Sequence, residues 1–179
     1  MNKERFWDIF FPPHCIFCRK VLDSQYLSIC DTCAKEMAQP PQPRKGEFFT
    51  TCISALPYDD MTRKSILRMK MGSKRSYTKT YGRMIAAQVK QKLDGKFDAI
   101  SWVPISSLRR ARRGFDQDRL IAEAAAEALQ MPLLETLKKK KHNRSQASIS
   151  DAAHRRASPA AYGKSHYAAR GPAEGRSPC

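Results

Sequence analysis

The chain has 179 residues, which is enough for one moderate core together with a small metal-stabilised module, so we expect two domains. Its 33 Lys and Arg residues outnumber 17 Asp and Glu residues, giving a formal net charge of +16 at pH 7. This excess favours polyanionic partners such as nucleic acid or phosphorylated metabolites, although a merely basic, hydrated surface is the alternative. The sequence has no apolar run of about 18 residues, which excludes a transmembrane helix, and we expect a cytoplasmic protein.

The first module, residues 1–38, begins with a short apolar stretch and continues with two CxxC pairs. The stretch ends at Pro12 and Pro13 and predicts a short amphipathic helix that packs on its own protein. Each CxxC turn presents two sulfurs to one point, and two such turns provide the four thiolates that a tetrahedral zinc ion requires. The predicted zinc ligands are Cys15, Cys18, Cys30 and Cys33.

Three other interpretations of these cysteines are weaker. A pair of disulfides requires an oxidising compartment, for which the sequence offers no secretion signal. A thioredoxin-type redox site requires one CxxC at a strand-to-helix turn, whereas this chain has two pairs close together. His14 adjoins the first ligand and is interpreted as a bystander, while Cys52 and Cys179 are interpreted as ordinary free thiols.

Composition divides the rest of the chain into three parts. Residues 39–47 are rich in proline, which favours an extended linker and predicts a domain boundary. Residues 48–162 contain alternating apolar and polar segments that suit a second folded domain. Residues 163–179 are dominated by Gly, Ala, Arg, Ser and Pro, and we expect a disordered tail.

The second domain begins with a predicted strand or hairpin at 48–58, followed by two helices. Asp59, Asp60 and Thr62 are N-cap candidates for a helix that reaches about Met71. Apolar residues at fourfold spacing predict a second helix over 77–93.

A strand, a helix and another strand are predicted next. Residues 98–103 form a short apolar run before Pro104, which is typical of a buried parallel strand. An apolar face predicts a helix over 117–130, and residues 132–137 predict a further strand. This order indicates an α/β fold with a parallel sheet.

The basic loop predicted at 104–116 is a candidate anion site. Ligands of open α/β sheets bind where a strand ends and a helix begins, and amides and guanidinium groups there suit phosphate. The loop offers Arg109, Arg112 and Arg113, and Gly114 permits a tight turn. The alternative is a solvated surface turn.

Two further groups of cations suggest contact with nucleic acid. The first could follow a phosphate backbone, with Tyr77 and Tyr81 stacking on bases, although a solvated helix face is the commoner explanation. It consists of Lys64, Lys70, Lys74, Arg75 and Lys79. The second group, residues 138–144, is interpreted as a solvated basic connector.

The order of these motifs resembles the ComF family. The resemblance runs to about residue 162 and rests on the double CxxC, the strand at 98–103, the RGFDQ run at 113–117 and the NRSQ run at 143–146. It implies a type I phosphoribosyltransferase-like parallel-sheet domain after the zinc ribbon. It also implies an accessory or binding role in DNA uptake during natural transformation, with single-stranded DNA or DNA-uptake proteins as partners.

The resemblance also implies a set of phosphate-binding residues, with phosphoribosyl diphosphate as a ligand and Mg²⁺ only when that ligand binds. The set is Lys70, Arg109, Arg112, Arg113, Gly114, Gln117, Arg144 and Gln146. Family members continue into a strand with paired aspartates and a Thr/Gly-rich loop, which this chain lacks. We therefore expect an incomplete domain in a truncated or frame-shifted member that is not catalytic. The alternatives are an active phosphoribosyltransferase and a zinc-ribbon protein that binds nucleic acid.

Overall fold

The computed structural model describes residues 12–24, 28–72, 74–93 and 97–139, and the backbone of one later strand. In chain order the elements are α1 (Asp31–Glu36), β1 (Arg44–Gly46), β2 (Phe49–Cys52), α2 (Asp60–Met71), α3 (Tyr77–Lys92), α4 (Ser107–Arg113), α5 (Gln117–Leu129), β3 (Leu137–Lys139) and β4 (Tyr162–Lys164). The helix predicted at the N-terminus lies outside the described residues.

The helices α2 and α3 confirm the two predictions from capping residues and apolar spacing. α2 begins after Asp59, whose carboxylate accepts a 2.8 Å hydrogen bond from the backbone N–H of Thr62. Gly72 is the C-cap residue of α2, and Leu93 is the C-cap residue of α3. None of the helices in the described residues has the length and apolar character that crossing a bilayer requires.

The helix α5 confirms a third prediction and packs closely against α3. Gly82 of α3 permits the approach, because a Cβ atom there would lie 2.5 Å from the Cβ of Ala124 and 2.7 Å from the carbonyl oxygen of Ile121. Small side chains on α5 complete the contact, with Ala124 and Ala125 buried. This pair of helices positions most of the residues discussed below.

The predicted parallel sheet is reduced to one bridge in the described residues. Ile100 pairs with Leu133 in parallel, through hydrogen bonds of 2.9 Å from Ile100 N–H to Pro132 and 2.8 Å from Leu134 N–H to Ile100. Pro104 and Pro132 have no N–H to extend a ladder, which helps to explain why the strands predicted at 98–103 and 132–137 do not form. The chain order of a βαβ unit remains, but the described residues form no phosphoribosyltransferase-like sheet.

The strands that do form are short antiparallel pairs. β1 pairs with β2, so the hairpin begins inside the segment predicted as a linker. β3 pairs with β4, so Gly163 and Lys164 are paired although the disordered tail was predicted to start at residue 163. Residues 165–179 lie outside the described part of the chain.

One hydrophobic cluster joins the cysteine-rich segment to the helices. Met69 of α2 and Tyr77 and Tyr81 of α3 belong to it, and all three are at least nine-tenths buried. The remaining buried members are Cys15, Ile16, Phe17, Leu22, Cys30 and Cys33. The predicted first module therefore packs directly on the helices of the second.

Candidate metal centre and basic surfaces

The four predicted zinc ligands lie together. The sulfur atoms of Cys15, Cys18, Cys30 and Cys33 are all within 4.8 Å of one another. The Sγ atoms of Cys18 and Cys30 are 3.6 Å apart. Four sulfurs at about 2.3 Å from a tetrahedral zinc ion would be about 3.8 Å apart, so the cluster fits this ion with little adjustment.

Backbone N–H groups hold three of the four sulfurs, those of Cys15, Cys18 and Cys30, in place. The N–H of Cys15 donates to the carbonyl of Lys20 at 2.9 Å, and Arg19 adopts a left-handed conformation with φ of 69° that closes the first knuckle. The backbone N–H groups of Cys30, Cys33 and Lys20 each donate to a cysteine sulfur at 3.5 Å. Such donors stabilise thiolates, which are the form that binds zinc.

The pKa values of the cysteines diverge because the thiols share one small volume. Burial is the largest influence on Cys15 and opposes ionisation, but N–H groups of Cys30, Cys18 and Phe17 together outweigh it and lower the pKa to about 7. Burial and the neighbouring thiols raise the pKa of Cys33. Four crowded thiols of which one ionises readily form a typical site for a soft divalent cation.

His14 and Cys52 do not belong to this cluster. His14 is exposed and pairs through its backbone with Val21, and Cys52 is an exposed free thiol at the end of β2. In the described residues the metal-ligating groups are thus the four cysteines alone. Cys179 lies outside the described residues.

Comparison with known families supports this assignment. Residues 6–46 match the family model of a double zinc ribbon domain. The matched segment contains four cysteines, which suffice for one zinc ion. Neither a ComF nor a phosphoribosyltransferase family model matches the chain. No curated protein and no solved structure matches it either.

The arginine-rich segment differs from its prediction as a loop. Residues Ser107–Arg113 form α4, which Ser106 caps by accepting a hydrogen bond from the N–H of Arg109. Gly114 ends the helix in the left-handed region, with φ of 80°, so the expected need for glycine is met. Arg112 is exposed, and Arg109 and Arg113 are half-buried.

Three of the predicted phosphate-binding residues gather around Asp118, which sequence analysis did not select. Arg113 donates to the Oε1 of Gln117 at 2.8 Å, and Gln117 donates to Asp118 at 3.2 Å. Lys70 acts electrostatically on the same carboxylate. An acid in the first turn of a helix is common for electrostatic reasons, so the sequence carries no signal of this convergence. Arg144 and Gln146 lie outside the described residues.

The surroundings of Asp118 disfavour the ionised form of its carboxyl group. Burial is the main cause that raises its pKa, and the nearby Asp116 adds to it. Lys70, Gln117 and Arg113 act in the opposite direction without cancelling the shift. A buried carboxyl with a raised pKa beside a cavity is a feature of ligand sites as well as of structural networks.

The predicted base-stacking tyrosines are not available, which corrects the first nucleic-acid hypothesis. Tyr77 and Tyr81 are each 7% exposed, and the hydroxyl of Tyr81 donates to Ser65 at 2.7 Å. Lys64 pairs with Asp60 at 2.7 Å. Lys79 remains exposed on α3, where two further exposed cations, Arg83 and Lys90, share its side of the helix.

Proposed function

We propose that this chain is a zinc-stabilised protein that binds nucleic-acid backbones, of the ComF-like type suggested by its motif order, and that it acts as an accessory component in DNA uptake. The observation that carries the proposal is a row of cations on the exposed side of α3. We call Lys79, Arg83 and Lys90 the basic stripe. The zinc ribbon supports the proposal because it packs against the same helix through Tyr77 and Tyr81.

The geometry of the basic stripe suits a phosphate backbone. At 100° per residue, its three side chains fall within an arc of about 40°, and they span about 17 Å along the helix axis. Successive phosphates of one duplex strand are about 3.4 Å apart along the axis, so the stripe covers about five of them. Cations spaced along one line follow a linear polyanion better than they enclose a single anion.

The stripe is not neutralised by the surrounding residues. The helix α3 contains no Asp or Glu. The ion pairs of Lys64 with Asp60 and of Arg119 with Glu123 do not include a member of the stripe. Exposed cations without carboxylate partners are available to neutralise DNA phosphates, and this neutralisation releases the cations condensed on the DNA.

Burial of the tyrosines limits what the stripe recognises. Without aromatic side chains to stack on bases, it would contact phosphates only, and phosphate contacts position a protein without reading sequence. Binding that ignores base sequence suits the handling of DNA of arbitrary origin. Arg112 of α4 is another exposed cation.

The test is the salt dependence of binding to single-stranded DNA, measured by fluorescence anisotropy on the zinc-loaded full chain. Each released counterion adds about 0.7 to the slope of log K against log salt. Replacing the stripe by glutamine (K79Q, R83Q and K90Q together) should reduce this slope by about 2. The matched control replaces three exposed lysines elsewhere, Lys20, Lys35 and Lys45, with the same change in net charge.

Comparison of the two variants distinguishes binding at the basic stripe from a general effect of net charge. If the control lowers affinity and slope as much as the stripe variant does, the stripe is not the binding surface. If neither variant changes binding, or the chain does not bind DNA below 50 mM salt, the proposal is wrong.

A second candidate is a phosphoribosyl diphosphate site, which the gathering of Lys70, Arg113 and Gln117 near the start of α5 favours. A helix N-terminus and guanidinium groups suit a diphosphate, with Mg²⁺ bound through the ligand. Only a ligand that binds the native state raises thermal stability by mass action. Stabilisation by phosphoribosyl diphosphate with Mg²⁺, beyond that given by plain diphosphate, would support this site, and equal stabilisation by both would refute its specificity.

A further inference from the structure

A cavity of about 370 Å³ opens between α2, α3, α5 and the segment after β2. Most of its wall is aliphatic or aromatic, and Tyr58, which is 72% exposed, lies at its edge. Its volume lies within the range of small-molecule sites, which run from about 300 to 1,000 Å³. The polar groups in this wall are few, and they decide what such a site would hold.

Two buried polar atoms on the cavity wall lack hydrogen-bond partners. The Oγ1 atom of Thr62 and the Oε1 atom of Gln88 have no partner within the described residues. Thr62 is 3% exposed, so bulk water does not supply the missing partner. Buried oxygen atoms are satisfied in nearly all native structures, and an exception requires an explanation.

The third acceptor is the carboxylate of Asp118, which lines the cavity together with the ammonium group of Lys70. Burial and the neighbouring Asp116 disfavour its negative charge. Lys70 and Arg113 favour the charge, and Gln117 donates a hydrogen bond to it. Because the net effect still raises the pKa of Asp118, the carboxylate lacks full compensation by its own protein.

These three groups require the same kind of partner. Gln88 Oε1 and the Asp118 carboxylate accept hydrogen bonds, and Thr62 Oγ1 can accept one. A group with several N–H donors and a positive charge would suit each of these acceptors, whereas an anion or a purely apolar molecule offers them no donor. The aliphatic and aromatic wall suits a ligand in which that charged group is attached to an apolar body.

We propose that this cavity binds a small apolar primary amine, with its ammonium group at Asp118 and its hydrocarbon body among the side chains of α2, α3 and α5. Arylalkylamines represent the class. Rotation of the flexible Gln88 side chain would turn its Oε1 toward the ammonium group. Long-range repulsion by the net charge of +16 is screened beyond about 8 Å at physiological salt, so the nearby charges decide the binding: Asp118 attracts the ammonium group, and Lys70 and Arg113 oppose it.

The proposed site is separate from the surface proposed for nucleic acid. Tyr81 and Gln88 line the cavity, and on a helical wheel they lie about 140° or more from the members of the basic stripe. The amine and DNA would therefore occupy opposite sides of α3. Failure of one proposal leaves the other unaffected.

The experiment is a titration of the zinc-loaded full chain with phenethylamine, followed by NMR chemical-shift changes and by calorimetry. The neutral analogue 2-phenylethanol has the same hydrocarbon body and serves as the matched probe. We expect saturable binding of the amine, with shifts at residues that line the cavity, and at least about tenfold weaker binding of the alcohol.

Variants assign the binding to named groups. D118N should lower the affinity for the amine about tenfold or more. It should not lower the affinity for the alcohol, because the substitution removes only the charge. If D118N perturbs the fold, Q88L provides a second test. This substitution should also weaken binding of the amine, and it should leave the fold intact. D60N, at an exposed acid of α2, is the control. Absence of saturable binding, equal affinity for the alcohol, or binding unchanged in both D118N and Q88L would overturn the proposal.

Discussion

The guanidinium group of Arg68 in α2 donates a 2.9 Å hydrogen bond to the carbonyl oxygen of Ile16 in the first zinc knuckle. The same nitrogen also donates to the carbonyl of Phe17. These residues are 52 positions apart in the chain, so the contact connects the metal module to the helical part. It also satisfies carbonyl groups that the knuckle turn leaves without backbone partners.

We predict that Arg68→Ala destabilises the protein by about 1 to 3 kcal/mol, because two half-buried carbonyl groups lose their donor. Chemical denaturation of the zinc-loaded chain measures this change. Arg63→Ala removes an exposed arginine from the same helix and should change stability by less than about 0.5 kcal/mol. Equal effects of the two substitutions would show that the Arg68 contact contributes little.

We predict that Cys33→Ser releases the metal and abolishes a cooperative unfolding transition. Structural zinc sites contribute about 10 kcal/mol or more, which is comparable to the whole stability of a typical domain. Cys52→Ser alters an exposed thiol outside the cluster and should retain one zinc per chain. Native mass spectrometry and circular dichroism measure both quantities. A C33S protein that melts like the parent would refute a shared, metal-dependent core.

We predict that Gly82→Ala is destabilising although alanine favours helices. The gain in helix propensity is about 1 kcal/mol, but the new Cβ would lie within 2.9 Å of three atoms of α5, two of them backbone atoms. Overpacking of this kind costs about 1 to 3 kcal/mol, so the net change should be unfavourable. Ala87→Leu on the exposed face of α3 is the control, and thermal melting compares them. A higher melting temperature for G82A would mean that α5 shifts freely.

We predict that Asp118→Asn stabilises the protein near pH 7. The pKa of Asp118 is raised in the folded state above its ordinary value of 3.8, so its contribution to stability is complete below pH 3.8 and is lost as pH rises through the folded pKa. At neutral pH the negative charge of Asp118 therefore destabilises the folded state, and asparagine removes this charge. The difference in melting temperature between variant and parent should shrink as pH approaches 3.8. A variant less stable than the parent at pH 7 would indicate that Lys70 and Arg113 compensate the charge fully.

The sequence predicted local features more accurately than long-range pairing. The CxxC spacing identified the four sulfurs that cluster, and capping by Asp59 placed the start of α2. The predicted parallel strands failed because pairing depends on partners distant in the chain, and only the bridge of Ile100 with Leu133 forms in the described residues.

Two errors have specific causes. The helix α4 was predicted as a loop because its arginines were interpreted by charge, although Ser106 is a good N-cap and arginine favours helices. The stacking role considered for Tyr77 and Tyr81 is wrong because both are buried, and Tyr81 also belongs to the fourfold apolar spacing that predicts α3. Asp118 was missed because its significance depends on Lys70 and Gln88, which only folding brings near.

The carboxylate of Asp116 fixes both flanks of the arginine helix. One oxygen accepts from the N–H of Ile105 at 3.3 Å, before α4, and the other accepts from the N–H groups of Asp118 and Arg119, after it. The segment that contains α4 is therefore held by hydrogen bonds to Asp116 at both of its ends. An incoming anion would then meet guanidinium groups on a backbone that is already ordered, and little conformational entropy would be lost when it docks.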